Sequence, residues 1–170
     1  PQTIANQAGY QHFSDLINRL KRKDTEGAKT ALKKAKSSFL KALKEKPNSV
    51  SYNALIKISL LESDYLQAEK WLQNALVISK TNVDTLYLQA KLLMRQNKTL
   101  EAEAILHQII VNNESYKLAY FDLAEIALKK KNYPLAEEHY KHLLKLDSRS
   151  PNIFTNLATT NQNKKYYGKI

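Results

Sequence analysis

Small and apolar residues recur along this chain on a helical spacing that itself repeats. Ala68, Ala102 and Ala136 are evenly spaced, and a second series, Ala90, Ala124 and Ala158, has the same step. Leu72, Leu106 and Tyr140 follow the first series by four positions, and Ala75, Ile109 and Leu143 follow it by seven. Tyr52, Leu86, Tyr120 and Phe154 form a further series at the same interval. Apolar side chains at i, i+4 and i+7 share one face of a helix. Two such faces per period, separated by a polar break, describe a helix–turn–helix unit. The breaks carry capping chemistry: Asp64 before Tyr65, Asn132 before Tyr133-Pro134, and Ser150 before Pro151. The pattern predicts helices over 49–62, 65–79, 83–96, 99–112, 116–130, 134–146 and 151–163. Ahead of them, residues 10–46 read as a helical hairpin whose second helix covers about 25–46, with Ala28, Leu32, Ala35, Phe39, Ala42 and Leu43 on one face.

These residues resemble the tetratricopeptide repeat. The second-helix half of that motif matches Ala35-x3-Phe39-x2-Ala42-x4-Pro47, Asp64-Tyr65-x2-Ala68-x3-Leu72-x2-Ala75 and Asn132-Tyr133-x2-Ala136-x3-Tyr140. The resemblance covers roughly residues 28–170 and is specific for the family, not for one member. It implies an all-α fold, a right-handed α-solenoid of antiparallel helix–turn–helix repeats. Residues 1–47 form a basic N-terminal hairpin, a degenerate repeat or cap, and residues 48–170 hold three full repeats and a truncated fourth. Ile56 stands where the first helix usually carries a small residue, so looser packing is expected there. Lys80, Glu114 and Ser148 occupy places where the repeat often ends in Pro. At the far end Tyr167 matches Tyr133, but Ile170 falls where Ala136 would recur, so the last unit lacks its second helix. The expectation is truncation from a longer protein, or a partner covering that end. Pro1 likewise implies a lost initiator methionine or a start inside a longer gene.

The family's usual task is holding a peptide along the surface lined by first helices. Mapped through the repeat, that surface carries Val50, Asn53, Lys57, Asp84, Tyr87, Lys91, Met94, Arg95, Leu118, Phe121, Glu125 and Lys129. Tyr87 and Phe121 are one repeat period apart and read as neighbouring anchors, with Lys57, Lys91, Arg95 and Lys129 adding positive charge. An apolar strip edged by cations suits an extended or helical partner segment with apolar and acidic side chains. The opposing reading is that both rings only fill space between helices. Relatives that clamp a chaperone C-terminus use fixed basic and amide positions. The corresponding residues here include Asn53, Lys57, Leu88, Leu118 and Asp122, which lack the basic pair of the third repeat, so that role is disfavoured.

Composition narrows the classes further. Cysteine is absent from the 170 residues, which removes disulfide frameworks, zinc ribbons and thiol catalysis. Three Gly and four Pro are too few for a turn-rich strand architecture. No apolar run reaches the roughly 18 residues that span a bilayer, and the N-terminus has no signal pattern. A soluble protein of undetermined compartment is the expectation. The net charge is +11, and +8 of it lies between Arg19 and Lys46. Lys29, Lys33, Lys34, Lys36, Lys41 and Lys44 cover the face of helix 25–46 opposite its apolar one. Such a face could meet nucleic acid or anionic lipid, but the segment interleaves no aromatics and has only Arg19 and Arg22, so a solvated lysine face is the favoured reading. His139 and His142 lie one turn apart beside Glu138; without a third ligand they read as ordinary surface. No nucleophile–base arrangement or phosphate loop stands out. The expectation is a non-catalytic protein-interaction scaffold without cofactor or metal. The alternatives are a basic adaptor docking on nucleic acid or membrane through residues 19–46, and a scaffold that self-associates through exposed solenoid ends.

Overall fold

A computed structural model describes residues 3–147 and 150–167; Ser148 and Ile170, used above for the repeat register, lie outside them. Among the described residues there are nine helices and no strand: α1 (Ile4–Lys21), α2 (Thr25–Glu45), α3 (Ser49–Leu61), α4 (Tyr65–Ile78), α5 (Val83–Arg95), α6 (Thr99–Asn112), α7 (Lys117–Lys129), α8 (Tyr133–Leu146) and α9 (Pro151–Tyr167). Helices α2 to α8 begin and end within one residue of the positions read from periodicity. None of the nine is long and apolar enough to cross a membrane.

The turns repeat as faithfully as the helices. Ser63, Asn97 and Lys131 adopt left-handed backbone with φ of 57°, 61° and 58°, each directly ahead of the N-cap residue of the next helix. That residue carries the cap. Asp64 accepts a hydrogen bond from the Gln67 N–H at 3.0 Å, and Asn132 from the Leu135 N–H at 3.3 Å. Lys98 holds the same place ahead of α6 with φ −86° and ψ 60°, but its side chain makes no capping bond. At the entries of α3 and α5, Asn48 and Asn82 cap the N–H groups of Ser51 (2.8 Å) and Thr85 (2.9 Å).

The chain packs as two compact units, residues 1–92 and 93–170. In the first, α1 packs on α2, α2 on α3, and α3 on α4. Leu16, Ala28 and Ala31 form one core cluster. Ala35, Phe39, Ala54, Leu55 and Ile58 form the next. Ile56, Ala68, Leu72, Ala75, Leu88 and Leu92 form a third. Ile56 is fully enclosed in that third cluster, as Ala90 and Ala124 are at the same repeat position, so the expected looseness does not show as exposure. In the second unit α6 packs on α7, α7 on α8 and α8 on α9, around Tyr120, Ala124, Tyr140, Leu143 and Ile153.

Two ends differ from the periodicity. Helix α1 starts at Ile4 rather than near residue 10, capped by the Thr3 hydroxyl, which accepts from the Asn6 N–H. Its inward face is Ala5, Asn6, Gly9 and Leu16, too small and polar to register as an apolar stripe. Asn6 is buried because its amide oxygen accepts from the Ser51 hydroxyl of α3. Helix α9 runs past its expected end to Tyr167, and Lys164 in that added stretch pairs with Glu137 of α8 at 2.7 Å. Phe154 of α9 is 52% exposed, whereas Leu86 and Tyr120, at the same repeat position, are 9% and 8% exposed.

Candidate binding surfaces

The first helices α3, α5 and α7 distribute their predicted site residues unevenly between surface and interior. In the first unit Asn53 is buried, its amide oxygen accepting from the Thr85 hydroxyl at 2.8 Å. It joins α3 to α5. Lys57 and Asp84 are exposed. Tyr87 is half-buried, and the Lys91 ammonium lies 5.8 Å from its ring centroid, within the reach of a cation–π contact.

In the second unit Leu118 is 53% exposed at the start of α7. Arg95 and Lys129 are exposed and Met94 is half-buried. Phe121 is half-buried, its ring edge-on to Tyr140 at 6.2 Å, and it packs against the core cluster of this unit. Glu125 accepts a hydrogen bond from the Tyr140 hydroxyl. Burial, followed by the bonded Glu125 carboxylate, pushes the Tyr140 phenol well above its usual range. Asn53, Phe121 and Glu125 therefore already have structural partners; Lys57 and Leu118 are exposed, and Tyr87 and Lys91 are half-buried and paired with one another.

The basic face of α2 is partly self-neutralised. Lys29 pairs with Glu26 at 2.7 Å, and Lys36 with Glu62 at 2.9 Å. Lys33, Lys34, Lys41 and Lys44 are exposed, with no acidic partner among the described residues. The absence of aromatics within residues 19–46 does not describe their surroundings. Tyr52 of α3 and Trp71 of α4 border the same cleft as Lys33, Lys36, Lys41 and Lys44, a space of about 670 Å³ whose remaining walls are Ser37, Leu40 and Leu43.

The histidine pair needs correction. His139 is not surface: it is 5% exposed, and its Nε2 has no hydrogen-bond partner among the described residues. Its ring lies 6.1 Å from that of Tyr120 and 6.3 Å from that of His107. His142 stacks on Tyr120 with centroids 4.0 Å apart. Burial is the main reason that the His139 pKa falls below the ordinary value; the His107 and His142 charges add to the fall, and Glu138 and Glu103 oppose it. Among the described residues no group of three His, Asp or Glu is placed to hold a metal ion. The repeat register held the missed signal. Trp71, Ile105 and His139 follow one another at the repeat period, and Tyr52 stands as far ahead of Trp71 as Tyr120 stands ahead of His139. The Tyr52–Trp71 ring separation is also 6.1 Å.

Sequence comparison matches residues 87–151 to the tetratricopeptide repeat. Those residues are tetratricopeptide repeats. No curated protein sequence matches the chain. Solved structures extend the fold assignment to the remaining helices. A tetratricopeptide repeat protein from Parabacteroides merdae superposes with a TM-score of 0.68 at 17% identity, covering 95% of this chain and 62% of its own. PilF of Pseudomonas aeruginosa gives a TM-score of 0.68 at 20% identity over 97% of this chain and 72% of its own. YrrB, described as a tetratricopeptide repeat protein with an unusual peptide-binding site, gives 0.61 at 17% identity over 98% of this chain and 87% of its own. The chain thus spans less than two thirds of the Parabacteroides protein. Its fold is the tetratricopeptide-repeat solenoid, an architecture that commonly serves as a protein–protein interaction scaffold.

Proposed function

We propose that the chain is a non-catalytic scaffold whose first-unit helices α3 and α5 hold a partner segment bearing apolar and acidic side chains. The observation that carries this reading is the Tyr87–Lys91 pair of α5, an aromatic ring joined to a cation on a helix that the repeat assigns to the binding surface. Lys57 of α3 supplies exposed positive charge in the same unit. An aromatic ring with a neighbouring cation suits a partner that offers an aliphatic anchor beside a carboxylate. The peptide-binding site of YrrB, a protein with this fold, agrees with such a role.

Photo-cross-linking provides the test. A benzophenone amino acid placed at 87 should capture a discrete partner from cell extract. The Tyr87→Ala, Lys91→Ala double variant should lose that partner and keep its helicity, because both side chains are only half-buried. Truncating a binding hot spot costs about 2 kcal/mol or more. Undiminished recovery of the same partner by a folded double variant would refute the assignment.

A further inference from the structure

The cleft between α2 and α4 lies on second helices and is distinct from the surface proposed above. Its lining combines two chemistries. One lies on a single face of α2, where Lys33, Lys41 and Lys44 are exposed and lack acidic partners among the described residues. The remaining lining is largely apolar: Leu40 and Leu43 of the same helix, the Tyr52 ring of α3 and the Trp71 indole of α4. The Trp71 N–H has no acceptor among the described residues. Uncompensated cations beside aromatic and aliphatic side chains favour a ligand combining carboxylates with large apolar side chains.

We propose that this cleft is a second docking site for an acidic amphipathic segment of a partner protein. Its apolar side chains seat on Trp71 and Tyr52, and its carboxylates face Lys33, Lys41 and Lys44. Three features favour such a segment over single-stranded nucleic acid. The cleft contains no arginine, the residue that grips phosphate with two parallel hydrogen bonds. Its two rings are half-buried and tilted 34° toward one another, a poor platform for stacked bases. Leu40 and Leu43 line it as well, a surface suited to an aliphatic or phenyl anchor.

Trp71 is the only tryptophan of the chain, so all tryptophan emission comes from a residue that lines this cleft. The probe is a synthetic peptide of glutamates flanking leucine and phenylalanine anchors, titrated into the full chain. Two controls accompany it: the same peptide with serine at the anchors, and oligothymidylate. The anchored peptide should shift Trp71 emission saturably and bind at least tenfold more tightly than the serine control. Replacing Lys33, Lys41 and Lys44 with Glu should weaken it at least tenfold. Replacing them with Ala, which suits a helix surface and preserves the fold, should weaken it at least fivefold. Tyr87→Ala should leave this binding unchanged, which separates the cleft from the first-helix surface. Unmoved Trp71 emission at saturating peptide, equal binding of the serine control, native affinity in a folded lysine variant, or tighter binding of oligothymidylate would each overturn the proposal. The last result would assign the cleft to nucleic acid.

Discussion

Gly9→Ala sets two opposed effects against each other, and the structure decides between them. Gly9 lies inside α1, where alanine normally stabilises a helix by about 1 kcal/mol relative to glycine. An added Cβ would stand 2.7 Å from Phe39 Cε1 and 2.8 Å from its Cδ1 and Cζ, where ordinary contact begins at 3.4 Å. The ring must therefore retreat several tenths of an ångström, and it has nowhere to go. Phe39 is completely buried, clustered with Ala35, Ala54, Leu55 and Ile58, and Tyr10 stands edge-on to it at 5.3 Å. Overpacking a tight core costs about 1–3 kcal/mol, so a net loss of about 1 kcal/mol is expected. For a chain of this size that is roughly 2–4 °C in melting temperature, read by far-ultraviolet circular dichroism. Phe39→Leu in the same molecule vacates the contested volume, so the double variant should lose less than the two single losses combined. A Gly9→Ala protein melting at or above the native temperature would refute the close approach of α1 to Phe39.

Other expectations rest on single contacts. Lys98→Asp should add about 1 kcal/mol of stability by supplying the cap that Asp64 and Asn132 provide at equivalent positions; an unchanged thermal midpoint would contradict it. Tyr140→Phe should cost about 1.5–3 kcal/mol in chemical denaturation, the range for a hydrogen bond to a charged group, since it removes the donor bonded to Glu125. His139 should make stability depend on pH. Its pKa is lowered on folding, so below about 6.5 the unfolded chain takes up the proton more readily than the folded one. Stability is then complete above that value, falls as the pH drops toward the folded pKa, and levels off below it. A melting series from pH 7.5 to 5 should show this fall, and His139→Phe should make it shallower; identical slopes in the two proteins would exclude His139 as the cause.

How legible the molecule was depended on whether a position's role shows in its own residue type. The seven helices α2 to α8 announced themselves because Ala68, Ala102, Ala136 and their i+4 and i+7 companions keep one face apolar over three units. The start of α1 did not, because Asn6 and Gly9 are buried for hydrogen bonding and for close approach rather than for hydrophobicity. At the candidate sites, the sequence marked Tyr87 and Lys91 by their repeat position but gave no sign that Glu125 is held by Tyr140, a contact that joins α7 to α8. His139 misled for a related reason: a polar residue next to Glu138 in the chain, it nevertheless turns inward against Tyr120. The aromatic side of the lysine cleft was invisible from residues 19–46 alone, since Tyr52 and Trp71 arrive from α3 and α4.

The buried amides and hydroxyls between first helices have a consequence for assembly order. Ser51 donates to Asn6, joining α3 to α1, and Thr85 donates to Asn53, joining α5 to α3. Hydrophobic contacts alone would let one repeat accept almost any other as its neighbour. A buried donor is more exacting, because a partner lacking the acceptor leaves it unsatisfied at a cost of about 1–3 kcal/mol. Ala119, the position that follows Ser51 and Thr85 in the repeat register, has no such side-chain donor. The α1–α3 and α3–α5 junctions thus act as keyed joints, each recognising its own neighbour. Duplicating or exchanging repeats by recombination would be penalised most where the break falls between Asn6 and Thr85.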